Sequence, residues 1–303
     1  MDQILDISSE GRHLSRDRGF LKVEHERQTI GRVPLDQITA VIVHAHGATY
    51  SNSLLVELAE RGIPLVICST NHLPRAVVLP LEGYHAQAAR MRAQLSAPLP
   101  MLKQAWKQVV ISKINMQAAA LNALSLPDAP LLMMARKVQS GDLHNVEAQA
   151  ARYYWPKMMG KTFRRDRSLD GLNSLLNYGY TVLRSTAARA IVGAGLHPTM
   201  GIFHTNRGNA FALADDLMEP FRPLVDLTAR SITLNAGHEV TPEAKRLLTR
   251  LIALDLPLTG DISPVSVAIS RLAISLAQSY ETKVLKLALP TPPEPLVLAG
   301  LGK

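Results

Sequence analysis

Cysteine and long apolar runs are the two features that this chain of 303 residues lacks most clearly. Cys68 is its single cysteine, so no intrachain disulfide can form, and we expect a reducing, cytoplasmic location. The most apolar segment, residues 187–203, is interrupted by Arg189, His197 and Pro198. Because a membrane helix needs about 18 or more consecutive apolar residues, we expect no membrane span.

Two common catalytic motifs are also incomplete. Gly160-Lys161-Thr162 resembles the end of a nucleotide-binding phosphate loop, but Trp155 stands where the loop requires its first glycine. His25-Glu26 and His238-Glu239 lack the second histidine, one helical turn later, that a zinc-protease helix needs. These patterns argue against a phosphate-loop ATPase and against a zinc protease.

Positive charge is present in excess and is unevenly placed. The chain has a net charge of +8 and an isoelectric point near 9.7. Residues 1–80 hold 8 Lys and Arg against 9 Asp and Glu, whereas the remainder holds 25 against 16. We therefore expect a polyanionic partner to bind mainly the C-terminal part. Nucleic acid is favoured over an anionic membrane surface, because no long apolar run accompanies the charge.

The hydrophobic pattern changes along the chain. Short alternating or β-branched segments predict strands at residues 4–7, 20–24, 38–43, 63–69 and 76–79, with one helix at 51–61. Later, apolar residues recur every three to four positions, which predicts helices over 101–124, 130–139, 142–159, 169–193, 209–230, 242–254 and 264–289. We therefore predict an α+β fold with a small β-rich N-terminal domain (1–80), a linker (81–98) and a larger all-α C-terminal catalytic domain (99–303).

The segment 201–226, GIFHTNRGNAFALADDLMEPFRPLVD, contains the most informative polar pattern. His204 follows an apolar pair, and Asp216, Glu219 and Arg222 recur every three residues, so on a helix they share one face. An imidazole nitrogen beside carboxylate oxygens, with no thiolate, suits a hard or borderline divalent cation. The segment therefore predicts a metal site.

Glu147 is a candidate third ligand. It lies on a predicted helix beside small residues, which allow another backbone or a phosphate to approach, although a lone acid on a surface helix is usually solvated. Six basic residues follow it, interleaved with Tyr153, Tyr154, Trp155 and Phe163, and they are Arg152, Lys157, Lys161, Arg164, Arg165 and Arg167. Such a run suits phosphate neutralisation and stacking on unpaired bases; the alternative is a solvated loop with a few buried aromatics.

Three ordered motifs carry a family resemblance: LNSLLNYGYTVLRS from Leu172, GLHPTMGIFH from Gly195 and LADDLMEPFRP from Leu213. With Glu147 upstream, they resemble the CRISPR-associated adaptation endonuclease, the integrase subunit that inserts new spacers, in the form that accompanies type II systems. The resemblance covers nearly the whole chain. It implies a homodimer, two of which flank a dimer of a second, small adaptation protein in a heterohexamer. It also implies DNA partners, namely the protospacer and the CRISPR repeat.

The resemblance also implies roles for residues. Glu147, His204 and Glu219 match the family's catalytic triad, which binds one Mg²⁺ or Mn²⁺ ion. Some members have Asp at the position of Glu219 and use an additional acid, so Asp216 or Asp215 is a candidate fourth contributor.

Further candidates surround this predicted triad. Tyr178 and Tyr180 either line the site or pack in the interior as part of a buried helix. Asn177, together with Asn173 one turn earlier, is suited to orienting a ligand through hydrogen bonds. Arg222 either contacts phosphate or pairs with Glu219 or Asp226.

The predicted reaction joins the 3′-hydroxyl end of a short foreign DNA fragment to the CRISPR repeat array by transesterification, with a divalent ion stabilising the developing negative charge. One phosphodiester is exchanged for another, so no ATP is required. Two alternatives stay open. One is a structure-specific, metal-dependent DNA nuclease, in which water replaces the hydroxyl. The other is a non-catalytic basic scaffold that binds nucleic acid through residues 152–167.

Overall fold

The structure is a computed structural model that describes residues 3–69, 74–78, 80, 87–204, 206, 208–258 and 261–302. The chain divides into two compact units, Met1–His85 and Ala86–Lys303. The first unit is rich in strands and the second consists mainly of helices. The predicted α+β fold class is therefore confirmed.

The described residues of the first unit form two four-stranded sheets. One has the order β4 (Gln28–Pro34), β3 (Phe20–His25), β2 (Arg12–Asp17) and β6 (Thr49–Tyr50), and the other has the order β1 (Gln3–Ile7), β5 (Ile38–Val43), β7 (Leu65–Cys68) and β8 (Pro74–Val78). Helix α1 (Asn52–Glu60) begins where the Ser51 hydroxyl accepts a hydrogen bond from the Leu54 amide. Leu14 and Leu21 from one sheet, Val41 from the other and Leu58 from the helix belong to one hydrophobic core.

In the second unit, the residues that the structure describes form a series of helices and one hairpin. The helices are α2 (Gln87–Leu95), α3 (Leu99–Ala123), α4 (Ala129–Ala135), α5 (Val146–Met159), α6 (Leu172–Gly193), α7 (Ala212–Met218), α8 (Arg222–Ala236), α9 (Pro242–Arg250), α10 (Val265–Thr282) and α11 (Pro295–Ala299). Short 3₁₀ turns occur at Ser140–Asp142, Glu219–Phe221 and Leu251–Ala253, and the first unit has one at Leu35–Gln37. None of the described helices is long and apolar enough to cross a membrane.

Helices α3 and α6 occupy the centre of the second unit. Both bury apolar and small side chains along much of their length, so each packs against several neighbours. Helix α6 contacts α7, α8, α9 and α10. Helix α3 contacts α5 and the turn Glu219–Phe221, and this packing brings two distant parts of the chain to the same helix.

The predicted helix over 209–230 is wrong, because the structure has two helices there. Helix α7 ends at Met218, and α8 begins at Arg222 after a 3₁₀ turn. Pro220 has no amide hydrogen to donate into a continuous helix, and Pro223 is tolerated because it stands in the first turn of α8. The break places Glu219 at the junction between the two helices.

The prediction that the C-terminal domain is all-α also needs correction. Strands β9 (Asp255–Leu258) and β10 (Asp261–Pro264) form an antiparallel hairpin between α9 and α10. Leu256 and Leu258 are buried while the residues between and before them are more exposed, which is the two-residue period of a strand.

Part of the predicted linker is helical. Helix α2 lies within residues 81–98, and its Arg90 side chain is buried against the carbonyl oxygen of Ala194 and the carboxylate of Glu281. The helix therefore belongs to the second unit. Residues 81–86 of that linker, and Leu79 at the end of the last predicted strand, lie outside the described residues.

Candidate active site

Glu147 stands in the first turn of α5, and its backbone is fixed by Asp142. The two carboxylate oxygens of Asp142 accept hydrogen bonds from the amides of Val146, at 2.8 Å, and Glu147, at 3.0 Å. Asn145, in a left-handed conformation, caps the same helix by accepting from the Ala148 amide. These contacts satisfy amides that a helix leaves unpaired at its start, so they hold Glu147 in place.

Glu219 lies in the turn between α7 and α8 and is only 3% exposed. Its Oε1 atom lies 3.0 Å from the guanidinium of Arg222, one helical turn later. Burial acts to raise the pKa of Glu219, but the charges of Arg222 and Lys113 outweigh burial and lower it. Glu219 is therefore an ionised carboxylate inside the protein. Of the roles predicted for Arg222, the structure shows the ion pair with Glu219.

Lys113 of α3 joins Glu147 to Glu219. Its Nζ atom lies 2.5 Å from Glu147 Oε1 and 2.5 Å from Glu219 Oε2. The first contact is a hydrogen bond, and the second is a close ion pair with the buried Oε2 atom. Burial acts to lower the pKa of Lys113, but the negative charges of Glu219 and Glu147 raise it overall.

His204 is oriented by Asp216. The imidazole Nδ1 atom lies 2.5 Å from Oδ1 of Asp216, whose other oxygen accepts from the amides of Ile202 and Phe203. Because an ionised carboxylate can only accept, Nδ1 carries the hydrogen, and in the neutral ring Nε2 keeps its lone pair. The hydrogen bond with Asp216 raises the pKa of His204, with smaller contributions from the charges of Asp216 and Glu219.

Aromatic packing supports the loop that carries His204. The Phe203 ring stacks on the buried Trp106 ring of α3, with centroids 4.4 Å apart and an interplanar angle of 2°. Both rings meet the imidazole of His204 edge-on, at 5.7 Å. A Cβ atom at Gly201 would lie 2.4 Å from the His204 carbonyl oxygen and 2.8 Å from Asp216 Oδ2, so this close approach requires glycine.

The three predicted ligands thus face one region of the second unit. Glu147 and Glu219 contact the same ammonium group, and His204 interacts electrostatically with Glu219. Within the described ranges, however, no three His, Cys, Asp or Glu side chains form a ready-made metal-ligand cluster.

The donor chemistry nevertheless fits a divalent cation of the magnesium or manganese type. Two carboxylates and one imidazole nitrogen are hard or borderline donors, and the buried Glu219 Oε2 atom already lies beside one positive charge. The ammonium of Lys113 marks a position that positive charge already favours.

The other acids and tyrosines predicted near the site have separate contacts. Asp215 accepts from Arg184 at 2.6–2.7 Å and from Asn209 at 2.8 Å, so its carboxylate is bound elsewhere. Tyr178 is fully buried, and its ring lies 5.4 Å from the ammonium of Lys245. It packs in the interior, which is the alternative that the sequence left open for one of the two tyrosines.

Tyr180 is linked to the site through Arg222. The guanidinium of Arg222 lies 4.8 Å from the centroid of the Tyr180 ring, and the hydroxyl donates to Asp226 at 2.5 Å. Tyr154 of α5 donates to the other oxygen of Asp226 at 2.9 Å. The sequence placed Tyr154 among the aromatics suited to stacking on unpaired bases, but its side chain is fully buried and bonded to Asp226, so it cannot stack on DNA. Asp226 was named from the sequence only as a partner for Arg222.

The six basic residues after Glu147 are not equivalent. Arg152, Lys161, Arg164 and Arg167 are exposed, and Lys157 lies over the Tyr153 ring at 4.1 Å. Arg165 differs, because its guanidinium donates to the side-chain oxygens of Asn173, at 2.9 Å, and Asn177, at 2.7 Å. The structure therefore gives Asn177 and Arg165 a shared role in fixing the loop after α5.

Lys113 is the main residue of this site that the sequence-based prediction misses. It stands within the stretch VVISKINM, where every other side chain is uncharged. A single charge inside an apolar helix is a signal for a buried ion pair, because an unpaired buried charge is costly. That signal points to Lys113 but not to its partners, which lie 34 and 106 residues later in the chain.

Comparisons with known proteins show the family of this chain. The family profile described as CRISPR associated protein Cas1 matches residues 5–241. The CRISPR-associated endonuclease Cas1 of Neisseria meningitidis serogroup C (strain 8013) is 34% identical over 278 residues, which cover 90% of this chain and 90% of that protein.

Solved structures share the fold. A casposase bound to integration product has a TM-score of 0.80 at 22% identity, covering 96% of this chain and 94% of that chain. A Cas6-RT-Cas1–Cas2 complex has a TM-score of 0.73 at 20% identity, covering 95% of this chain and 36% of that chain. The resemblance predicted from the three motifs is confirmed, and this chain belongs to the CRISPR-associated Cas1 family.

Proposed function

We propose that this chain is a divalent-metal-dependent DNA endonuclease and integrase of CRISPR adaptation, which joins the 3′-hydroxyl ends of short foreign DNA fragments into the CRISPR repeat array. The observation that carries the proposal is the meeting of two carboxylates, from α5 and from the α7–α8 junction, around one cationic group beside an oriented imidazole. The name of the Neisseria relative, an endonuclease, supports the nuclease activity.

Each residue of the proposed site has a separate role. Glu147, His204 and Glu219 would hold a Mg²⁺ or Mn²⁺ ion, which, when bound, supplies Lewis-acid stabilisation of the charge that develops on the phosphoryl and leaving oxygens. Asp216 fixes the imidazole so that Nε2 faces away from it. Arg222 holds the Glu219 carboxylate through its ion pair.

Exposed basic side chains would position the DNA. The exposed basic residues lie on or just after α5, the helix that carries Glu147, and they are Arg152, Lys161, Arg164 and Arg167. A DNA strand whose phosphates bind them would therefore run near Glu147 in the sequence. Positioning of the two strands is then the main contribution of the protein to the joining reaction.

The proposed assembly is a homodimer, two copies of which flank a dimer of a second, small adaptation protein. Its support is the family itself and the fold shared with the Cas1 part of a complex named for Cas1 and Cas2. The proposed DNA partners are the protospacer and the CRISPR repeat.

Substitution of the three ligands tests the proposal. Glu147→Gln, His204→Ala and Glu219→Gln should each lower strand joining by a factor on the order of 100 or more, because each removes a group that stabilises the transition state. DNA affinity should stay near the wild-type value, because the exposed basic residues are unchanged. The assay combines the chain and its small partner protein with short duplexes and a supercoiled repeat-containing plasmid, with Mg²⁺, Mn²⁺ or EDTA.

The products distinguish the candidate functions. Covalently joined DNA that requires metal supports the integrase, whereas metal-dependent cleavage without joining supports a structure-specific nuclease. DNA binding with neither product, unaffected by EDTA, would identify a non-catalytic scaffold and refute the proposal. Arg152→Ala is the matched control, because it should weaken DNA binding while leaving the three ligands intact.

A further inference from the structure

The position of Lys113 is more specific than charge neutralisation requires. Its ammonium lies 2.5 Å from one oxygen of Glu147 and 2.5 Å from one oxygen of Glu219, so these two oxygens lie no more than 5.0 Å apart. The side chain of Lys113 is 12% exposed, that of Glu147 22% and that of Glu219 4%, so water screens the three charges poorly.

Two ionised carboxylates at this separation repel each other unless a cation lies between them. Arg222 already pairs with Glu219 through the other oxygen, Oε1, and it does not reach Glu147 in any described contact. Lys113 is thus the group that joins the two acids, and it comes from a third helix, α3. No other described lysine or arginine contacts both acids.

We propose that Lys113 is a tethered counter-ion that occupies the place of the divalent metal between Glu147 and Glu219, so that ammonium and metal exclude each other there. The inference rests on the proposed function, because it takes both glutamates as metal ligands. Lys113 then holds the two carboxylates together while no metal is bound, and its displacement is a cost that weakens metal binding. It is a positioning residue and does not touch the reacting DNA.

The exclusion follows from the atoms available. A metal ion that used Glu147 Oε1 and Glu219 Oε2 would share both oxygens with the ammonium and would lie beside a second positive charge. A lysine side chain is flexible at its four-carbon stem, so the ammonium can leave without movement of α3.

Manganese binding to the full chain tests the inference without any activity measurement. Lys113→Met and Lys113→Gln should each lower the Mn²⁺ dissociation constant by about tenfold or more, because removing a charge this close removes a competitor. Binding is measured from the electron paramagnetic resonance signal of free Mn²⁺. The glutamine variant keeps a hydrogen-bond donor and serves if methionine prevents folding.

Thermal unfolding gives a second readout. In EDTA, Lys113→Met should have a lower Tm than the wild type, because two neighbouring carboxylates lose their shared counter-ion. Saturating Mn²⁺ should raise the Tm of Lys113→Met more than that of the wild type. The matched control is Lys107→Met, a lysine change six residues earlier in α3, which should change neither the Tm in EDTA nor the rise in Tm with Mn²⁺. A second control, Lys113→Arg, keeps the positive charge and should retain wild-type Mn²⁺ affinity.

Two results would overturn the inference, and only the second would also refute the proposed function. If Lys113→Met and Lys113→Gln bind Mn²⁺ as tightly as the wild type or more weakly, Lys113 does not compete, while the proposed metal site stands. If the wild type and both variants bind Mn²⁺ no better than Glu147→Gln does, the metal site is absent and the proposed function fails with the inference.

Discussion

At the scale of single residues, the pair Asp216–His204 explains how one imidazole can serve as a ligand. The carboxylate of Asp216 is fully buried and accepts from the three backbone amides of residues 202–204 as well as from Nδ1 of His204. Its position is therefore fixed before any ion binds, and the ring is held with Nε2 available. Metal-binding histidines commonly have such a carboxylate behind them. Asp216 orients the imidazole of His204, the proposed ligand, whereas Asp215 pairs with Arg184.

A second buried acid, Asp226, lies behind Arg222. Burial raises the pKa of Asp226 to about 6, although hydrogen bonds from Tyr180 and Tyr154 act to lower it. Burial also raises the pKa of both tyrosines, so their hydroxyls remain donors at neutral pH. Asp226 therefore anchors two tyrosines from α5 and α6 at the start of α8.

The raised pKa of Asp226 predicts a pH-dependent stability. Between about pH 4 and pH 6 the folded protein keeps a proton on this carboxyl that the unfolded chain has released, so stability falls as pH rises through this range. A pKa raised from 3.8 to about 6 corresponds to about 3 kcal/mol. Asp226→Asn cannot ionise and lacks this change. The free energy of unfolding of the wild type, minus that of Asp226→Asn, should fall by this amount between pH 4 and pH 7 in urea denaturation.

The opposite sign would contradict this account. If the difference between wild type and Asp226→Asn rises with pH, Asp226 is stabilised as an anion by Arg222 and Arg165, and burial does not dominate. Tyr154→Phe is a useful control, because it removes one hydrogen bond to Asp226 and should move its pKa further upward.

Residue-level roles were only partly accessible from the sequence. The sequence around His204 and Glu219 predicts both residues as metal ligands, because their types and spacing suit a metal. The partners of Arg165 and Lys113 were not accessible, although the isolated charge of Lys113 in an apolar helix was itself a signal. Arg165 is one of six basic residues, and only tertiary contacts with Asn173 and Asn177 distinguish it from its exposed neighbours.

At the scale of helices and strands, the junction of α7 and α8 determines where Glu219 points. A continuous helix over 209–230 would place Asp216, Glu219 and Arg222 on one stripe, as the spacing suggests. The turn Glu219–Phe221 instead separates Asp216, which faces the His204 loop, from Glu219, which faces α3 and α5. Pro220 is the local cause, and its effect on direction could not be read from periodicity alone.

The close approach of α6 and α8 predicts a stability effect at Gly179. A Cβ atom there would lie 2.4 Å from Val225 Cγ1 and 3.1 Å from Leu248 Cδ2, both buried side chains. Gly179→Ala should therefore destabilise the second unit by about 1–3 kcal/mol, because α8 and α9 must shift, even though alanine is the better helix former. Urea denaturation measures the change.

The matched control is Gly193→Ala, at the end of the same helix. A Cβ atom at Gly193 meets no described atom within 4 Å, so this change should be neutral or should stabilise by up to about 1 kcal/mol. Equal effects of the two substitutions would show that helix propensity, and not the packing of α6 against α8, decides stability at Gly179.

Element types were predicted better than their ends. Long amphipathic segments such as α3, α5 and α6 follow the three-to-four-residue period, so their type is evident from the sequence. Strands β2 and β4 were missed because charged and polar residues interrupt their alternation, and β4 is largely exposed. Hairpin β9–β10 was missed because its strands are only four residues long.

At the scale of the whole molecule, charge and catalytic candidates lie in the same unit. Residues 1–80 carry no positive excess, and the second unit holds Glu147, His204, Glu219 and the exposed basic residues. Composition alone could place a polyanionic partner there. What composition and motifs could not supply is the convergence of residues 113, 147, 204 and 219, which follows from the packing of α3 against α5 and the α7–α8 junction.

The central claim is that Glu147, His204 and Glu219 bind one divalent ion, and anomalous X-ray diffraction from crystals of the full chain grown with Mn²⁺ tests it most directly. The account predicts one anomalous peak in contact with Nε2 of His204 and with carboxylate oxygens of both glutamates, with the Lys113 ammonium displaced from between them. A map at saturating Mn²⁺ with no peak at these residues, and with Lys113 still bridging the two glutamates, would contradict it.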